Sequence, residues 1–204
     1  MKKLLTILLA LMLAATLVAC TNTPADDETS KDDVVTDLPA DDEAAADDES
    51  SAEASIDDLY AIADQLYTGF DPETLPMVGT MELGEENFEY SAFVPYKSSY
   101  LAVESMPMMG STPHSVVIVR AESEAEAAEL AESMKENADP RKWICVSARS
   151  VKSAHKGNYA ILAMIGMQVM PDDEITEEMA EKMSDEQSEE RADAIIANFL
   201  EAVK

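Results

Sequence analysis

Apolar residues recur most regularly at the C-terminus. Ala192, Ile195, Ile196, Phe199, Leu200 and Val203 follow the i, i+3, i+4, i+7, i+8, i+11 spacing of one helical face. Ser184 with Gln187 reads as the cap of that helix, and ITEEMAEKM, after Pro171, as a separate short acidic helix. A second stripe, Ala127, Leu130, Ala131 and Met134, runs through AESEAEAAELAESMKENA. It starts at the capping pair Ser123 and Glu126 and stops at Asp139-Pro140. A third stripe, Leu59, Ile62, Leu66 and Phe70, follows the capping pair Ser55 and Asp58, with Gly69 placed to end it.

Between the stripes the pattern shifts towards strands. FEYSAFVP and SSYLAVES are rich in aromatic and β-branched residues and are separated by a short turn near Tyr96-Lys97. SVVIVRA is a compact apolar run that predicts a strand buried on both faces. WICVSARSV and NYAILAMIG predict two more strands, joined through SAHKGN, whose Gly157-Asn158 suits a hairpin turn. The Pro- and Gly-punctuated DPETLPMVGTMELG reads as a loop. The predicted order is α, β-β-β, α, β-β, α. That is an α+β fold, an antiparallel sheet of about four to five strands with helices packed on it.

Charge changes the picture at the other end. The chain of 204 residues carries a formal net charge of −28, yet its first twenty residues hold no acid. Lys2 and Lys3 precede an apolar stretch, Leu4 to Val18, shorter than the ~20 residues needed to cross a bilayer. Residues 1–19 therefore read as a cleaved targeting segment. Residues 20–55 are thick with Asp and Glu, with Lys31 the lone base and no aromatic residue, a composition that cannot offset chain entropy by burial. This stretch predicts a disordered tether spanning roughly 30–35 Å on average. Residues 56–204 are left as one globular domain. Its excess of acids makes nucleic acid an improbable partner.

The residues that could carry chemistry are few. His114 and His155 are the only imidazoles; a hydrolase would need Ser111 or Ser115 beside His114, in a loop without nucleophile-elbow glycines. Phosphate-loop, C-x-x-C and His-x-x-x-His patterns are missing, so no cofactor, zinc or nucleotide site is expected. Cys145 falls within a strand candidate, where a free cysteine behaves as a small buried hydrophobe. Met106-Pro107-Met108-Met109 and Met164, Met167 and Met170 are two thioether clusters. Soft sulfur suits copper(I), while methionine also fills irregular cores and grooves. Arg149, Lys152 and Lys156 could receive an anionic ligand from one strand, or pair internally and protect a sheet edge.

Leu17-Val18-Ala19-Cys20 resembles the lipobox of bacterial lipoproteins. The resemblance implies a diacylglyceryl group on the Cys20 thiol, with Cys20 as mature N-terminus, palmitate-type acyl chains and attachment to the membrane. Together with the acidic tether, the capped first helix and Lys156-Gly157-Asn158-Tyr159, it resembles an uncharacterised small-lipoprotein family of Firmicutes, a domain-of-unknown-function family. MPMMGSTPH and the acidic extension after Pro171 depart from that family's pattern. The family implies location and fold class and adds no chemistry. The expectation is a lipid-anchored, extracytoplasmic, non-enzymatic binding or interaction module at the cell envelope, serving an envelope protein or a small solute. A hydrolase using His114 and a copper(I)-handling protein are the alternatives.

Overall fold

The structure is a computed structural model, and it describes residues 55–109 and 112–204. The targeting segment 1–19, Cys20, Ser111 and all of the tether before Ser55 lie outside the described residues. The element order is α1 (Ile56–Gln65), β1 (Val78–Glu82), α2 (Glu85–Ala92), β2 (Leu101–Pro107), β3 (His114–Arg120), α3 (Glu124–Asn137), β4 (Ser150–Lys156), β5 (Tyr159–Ile165) and α4 (Glu177–Ala202). The strands form one antiparallel sheet in the order β1-β2-β3-β5-β4. Among the described residues, no helix is long and apolar enough to cross a membrane.

Helices cover both faces of the sheet, which is why β3 and β5 read as unbroken apolar runs. Val117, Val119, Ala160, Leu162 and Met164 face α2 and α3 and meet Phe88, Leu130 and Met134. The alternate residues Val116, Ile118, Ile161, Ala163 and Ile165 face α1 and α4 and meet Leu59, Leu66, Ile195 and Phe199. All four residues of the α3 stripe are buried. Ser123 Oγ accepts from the Glu126 N–H at 3.2 Å, while the Glu126 carboxylate reaches back to the Glu122 N–H. In α1 the Asp58 carboxylate accepts from the Ser55 N–H at 2.9 Å, and Gly69 takes φ +84° beyond its end. The β4–β5 hairpin turns at Gly157, φ +51°.

Four local expectations are corrected. FEYSAFVP lies mostly in helix α2, because its buried residues are Phe88, Ser91 and Ala92, an i, i+3, i+4 set. Glu85 and Glu86 occupy its first turn, and Phe93 closes it in the left-handed region at φ 60°. The segment read as a loop contains β1, paired with β2 from Val78↔Pro107 to Glu82↔Val103. WICVSARSV is irregular up to Arg149, and the strand begins at the polar Ser150. Helix α4 then covers the polar strand β4, so that burial by a neighbour, not β-propensity, placed the strand. The two C-terminal helices are one helix of 26 residues, capped by Thr176 Oγ1 accepting from the Met179 N–H at 3.2 Å. Ser184 sits inside it and donates to the Ala180 carbonyl.

Candidate functional site

The basic residues singled out in the sequence are drawn into one seam. Arg149 meets Asp185 at 2.6 Å, and Lys152 meets Glu189 and Asp193 at 2.7 and 2.9 Å. Lys156 donates to the Leu200 carbonyl at 2.6 Å. The hydrogen bonds that it donates to Glu189 and Asp193 hold the Lys152 ammonium above its ordinary pKa. These contacts join the edge strand β4 and its approach to α4.

A second cation is buried. Lys142 lies in the irregular segment between α3 and β4, and its Nζ is 3.0 Å from Glu104 Oε1 and 3.0 Å from Ser115 Oγ. Ser115 and Ser91 donate to the two Glu104 oxygens at 2.5 and 2.6 Å. Both charged side chains are only 4% exposed. The rings of Tyr90, Phe93 and Trp143 surround the ammonium with centroids 5.4, 5.7 and 5.5 Å away. Burial pushes the Glu104 carboxyl up, but the Lys142 charge and the two serine hydroxyls outweigh it and hold it below the usual carboxylate range. The arrangement is a satisfied internal ion pair.

His114 is on the opposite face of the sheet from Ser115, since the two are neighbours on β3. Its Nε2 is 2.9 Å from the Tyr67 hydroxyl, and the two rings lie 5.6 Å apart. Burial, assisted by the charge of Arg191, pushes the His114 pKa down to about 4, so the ring is neutral at pH 7. Burial likewise pushes the Tyr67 hydroxyl far up. His114 therefore does not meet Ser115, and its described hydrogen-bond partner is a phenol.

Arg191 is the residue that the sequence reading passed over. Mid-helix in α4, it is 9% exposed and stands over the end of the sheet nearest His114. Two guanidinium nitrogens donate to Thr74, to its carbonyl at 2.9 Å and its Oγ1 at 3.2 Å. The Phe70 ring lies 5.6 Å from Cζ. Among the described residues no carboxylate forms an ion pair with it. Its pKa is lowered by burial, but an arginine stays charged at any physiological pH. Arg191 lines two cavities of about 500 and about 430 Å³, which also share Thr74 and Met167. The two bonds to Thr74 use two of the five guanidinium N–H donors. The floor of the groove is held by α4 itself. Ser188 and Ser184 hydroxyls accept from the Met167 and Val169 N–H groups at 2.7 and 2.9 Å. Asn198 ties the Leu66 and Thr68 carbonyls at 2.8 and 3.0 Å. The sequence signal was there to be read: Arg191 falls on the helical stripe, three residues after Ser188 and four before Ile195.

The remaining candidates are dispersed. Cys145 is exposed, in a segment whose Ile144 is fully exposed, which corrects the expectation of a buried strand cysteine. Met164 is buried in the α3-side core, Met167 packs against the α4-side core, and Met170 is exposed. Among the described residues no group of three His, Cys, Asp or Glu could hold a metal. No family model, curated protein or solved structure matches the chain.

Proposed function

We propose that the protein is a lipid-anchored, extracytoplasmic binding module that receives a small solute bearing one anionic group in the Arg191 groove. Cys20 carries the anchor, residues 20–55 hold the domain off the membrane, and residues 56–204 present the groove. The observation that carries the reading is a buried arginine without a carboxylate partner among the described residues, lining two cavities. A buried charge is expensive unless it is paired, and a ligand carboxylate would supply the bidentate partner that the fold omits. Phe70, Met167 and Pro113 offer apolar contact for the rest of the molecule. Residues 56–204 hold 29 acids against 11 bases, and Asp71 and Glu190 line the groove. That field disfavours polyanions and leaves monocarboxylates as the favoured class.

Thermal unfolding against a panel of aliphatic and aromatic monocarboxylates tests the site. A true ligand at a hundredfold excess over its dissociation constant adds about 2.7 kcal/mol. The shift disappears in Arg191→Met. A shift of equal size in that variant, or none with any carboxylate, sinks the reading. The anchor is tested separately by incorporation of labelled fatty acid in growing cells, which Cys20→Ser must abolish.

A further inference from the structure

The free edge of the sheet carries thioethers that play no part in the Arg191 groove. Among the described residues, strand β1 pairs on one side only, with β2. In their register Gly79 lies opposite Met106, and Met81 opposite Glu104. Opposed residues share a face and alternate along each strand, so Gly79, Met81 and Met106 stand on the α2 side, with Glu104 and its partner Ser91. The pairing runs one step further, where the Met108 N–H donates to the Met77 carbonyl at 2.7 Å. Met108 folds back over the sheet: a Cβ added to Gly79 would collide with its sulfur. The glycine leaves a gap, a thioether fills it, and Met106 and Met81 are the same-face neighbours of Gly79 across and along the strands. Met81 and Met108 are 47% and 66% exposed, and Met106 is half-buried.

We propose that Met81, Met106 and Met108 bind copper(I) through three thioether sulfurs, with Met77 as a further donor alongside. Thioethers are neutral and soft, and they select Cu(I) or Ag(I) over zinc or the hard divalent ions. The carboxylate on this face, Glu104, is occupied by Lys142, Ser91 and Ser115, so the donor set is sulfur alone. The net charge of −28 raises the local concentration of a monovalent cation. This is not the pair of clusters expected from the sequence. Two donors come from β1 and the segment after β2, brought together by strand pairing, while Met164, Met167 and Met170 contribute nothing. Arg191 is on the other side of the sheet, so the proposal is independent of the groove.

Silver(I) is the probe, because it is soft and does not change oxidation state. The chain carrying Cys20→Ser and Cys145→Ser removes competing thiols, and carbon-13 labels report each methionine methyl by NMR. The ε-methyl signals of Met81, Met106 and Met108 shift together and saturate at one equivalent, while buried Met164 stays still and zinc(II) moves none of them. Met106→Leu and Met108→Leu each weaken silver binding at least tenfold with unchanged unfolding midpoints, and copper(I) under anaerobic conditions competes for the same signals. Parallel, unsaturating shifts of Met109, Met170 and Met179, or undiminished affinity in both leucine variants, overturn the proposal.

Discussion

Replacing Lys142 by methionine keeps the aliphatic stem and removes the charge from a buried pair. Glu104 is then left ionised, 4% exposed, with only the Ser91 and Ser115 hydroxyls to stabilise it. Breaking a buried pair from one side costs about 3–5 kcal/mol. For a domain of this size that lowers Tm by roughly 8–20 °C. Trp143, the single tryptophan of the chain, sits against the pair, so urea unfolding followed by its fluorescence reads the cost directly. The pH dependence carries the sharper test. In the native protein the depressed Glu104 pKa contributes stability that is present above 4.5 and lost as pH falls through the folded value. In Lys142→Met the chief opposing charge is gone, burial dominates, and the Glu104 pKa moves above its ordinary value. The variant therefore recovers stability relative to the native protein as pH drops from 7 towards 5. Subtracting the native curve cancels every other carboxylate. A loss below 1 kcal/mol at pH 7, or a difference that stays flat with pH, would refute the reasoning.

Other outcomes follow from single contacts. His114, held at about 4 when folded against 6.5 unfolded, contributes on the order of 3 kcal/mol that is lost as pH falls from 6.5 to 4; His114→Gln flattens that part of the stability curve. Gly157→Ala meets no atom within 4 Å but must hold φ +51°, and calorimetry should show a loss of about 1–2 kcal/mol. Ser188→Ala strands the Met167 N–H and costs about 1–3 kcal/mol by urea unfolding, with weaker carboxylate binding because Met167 lines the groove. With Cys20 replaced by serine, Cys145 reacts with a thiol reagent in the native state as fast as in urea, as its exposure requires.

How much of this was legible depended on whether a residue's own neighbours in sequence settled its state. The stripes of α1 and α3, their caps, the apolar strands β3 and β5 and the Gly157 turn are local patterns, and the sequence alone determined them. Its charge distribution also set an acid-free N-terminal stretch and an acidic stretch apart from one α+β domain. Only the tertiary structure decided the rest. Whether Phe88 to Pro95 became helix or strand hung on which face found a core. SVKSAHK became a strand because α4 supplied acids to Lys152 and a carbonyl to Lys156. Ser184 looked like a cap because serine binds a backbone N–H at a helix start; here it binds one at the flanking Val169 instead. Arg191, Thr74 and His114 lie far apart in the chain and meet only when α4 closes over the sheet. Burial and partnership are properties of the packed molecule, and the candidate site is made of nothing else.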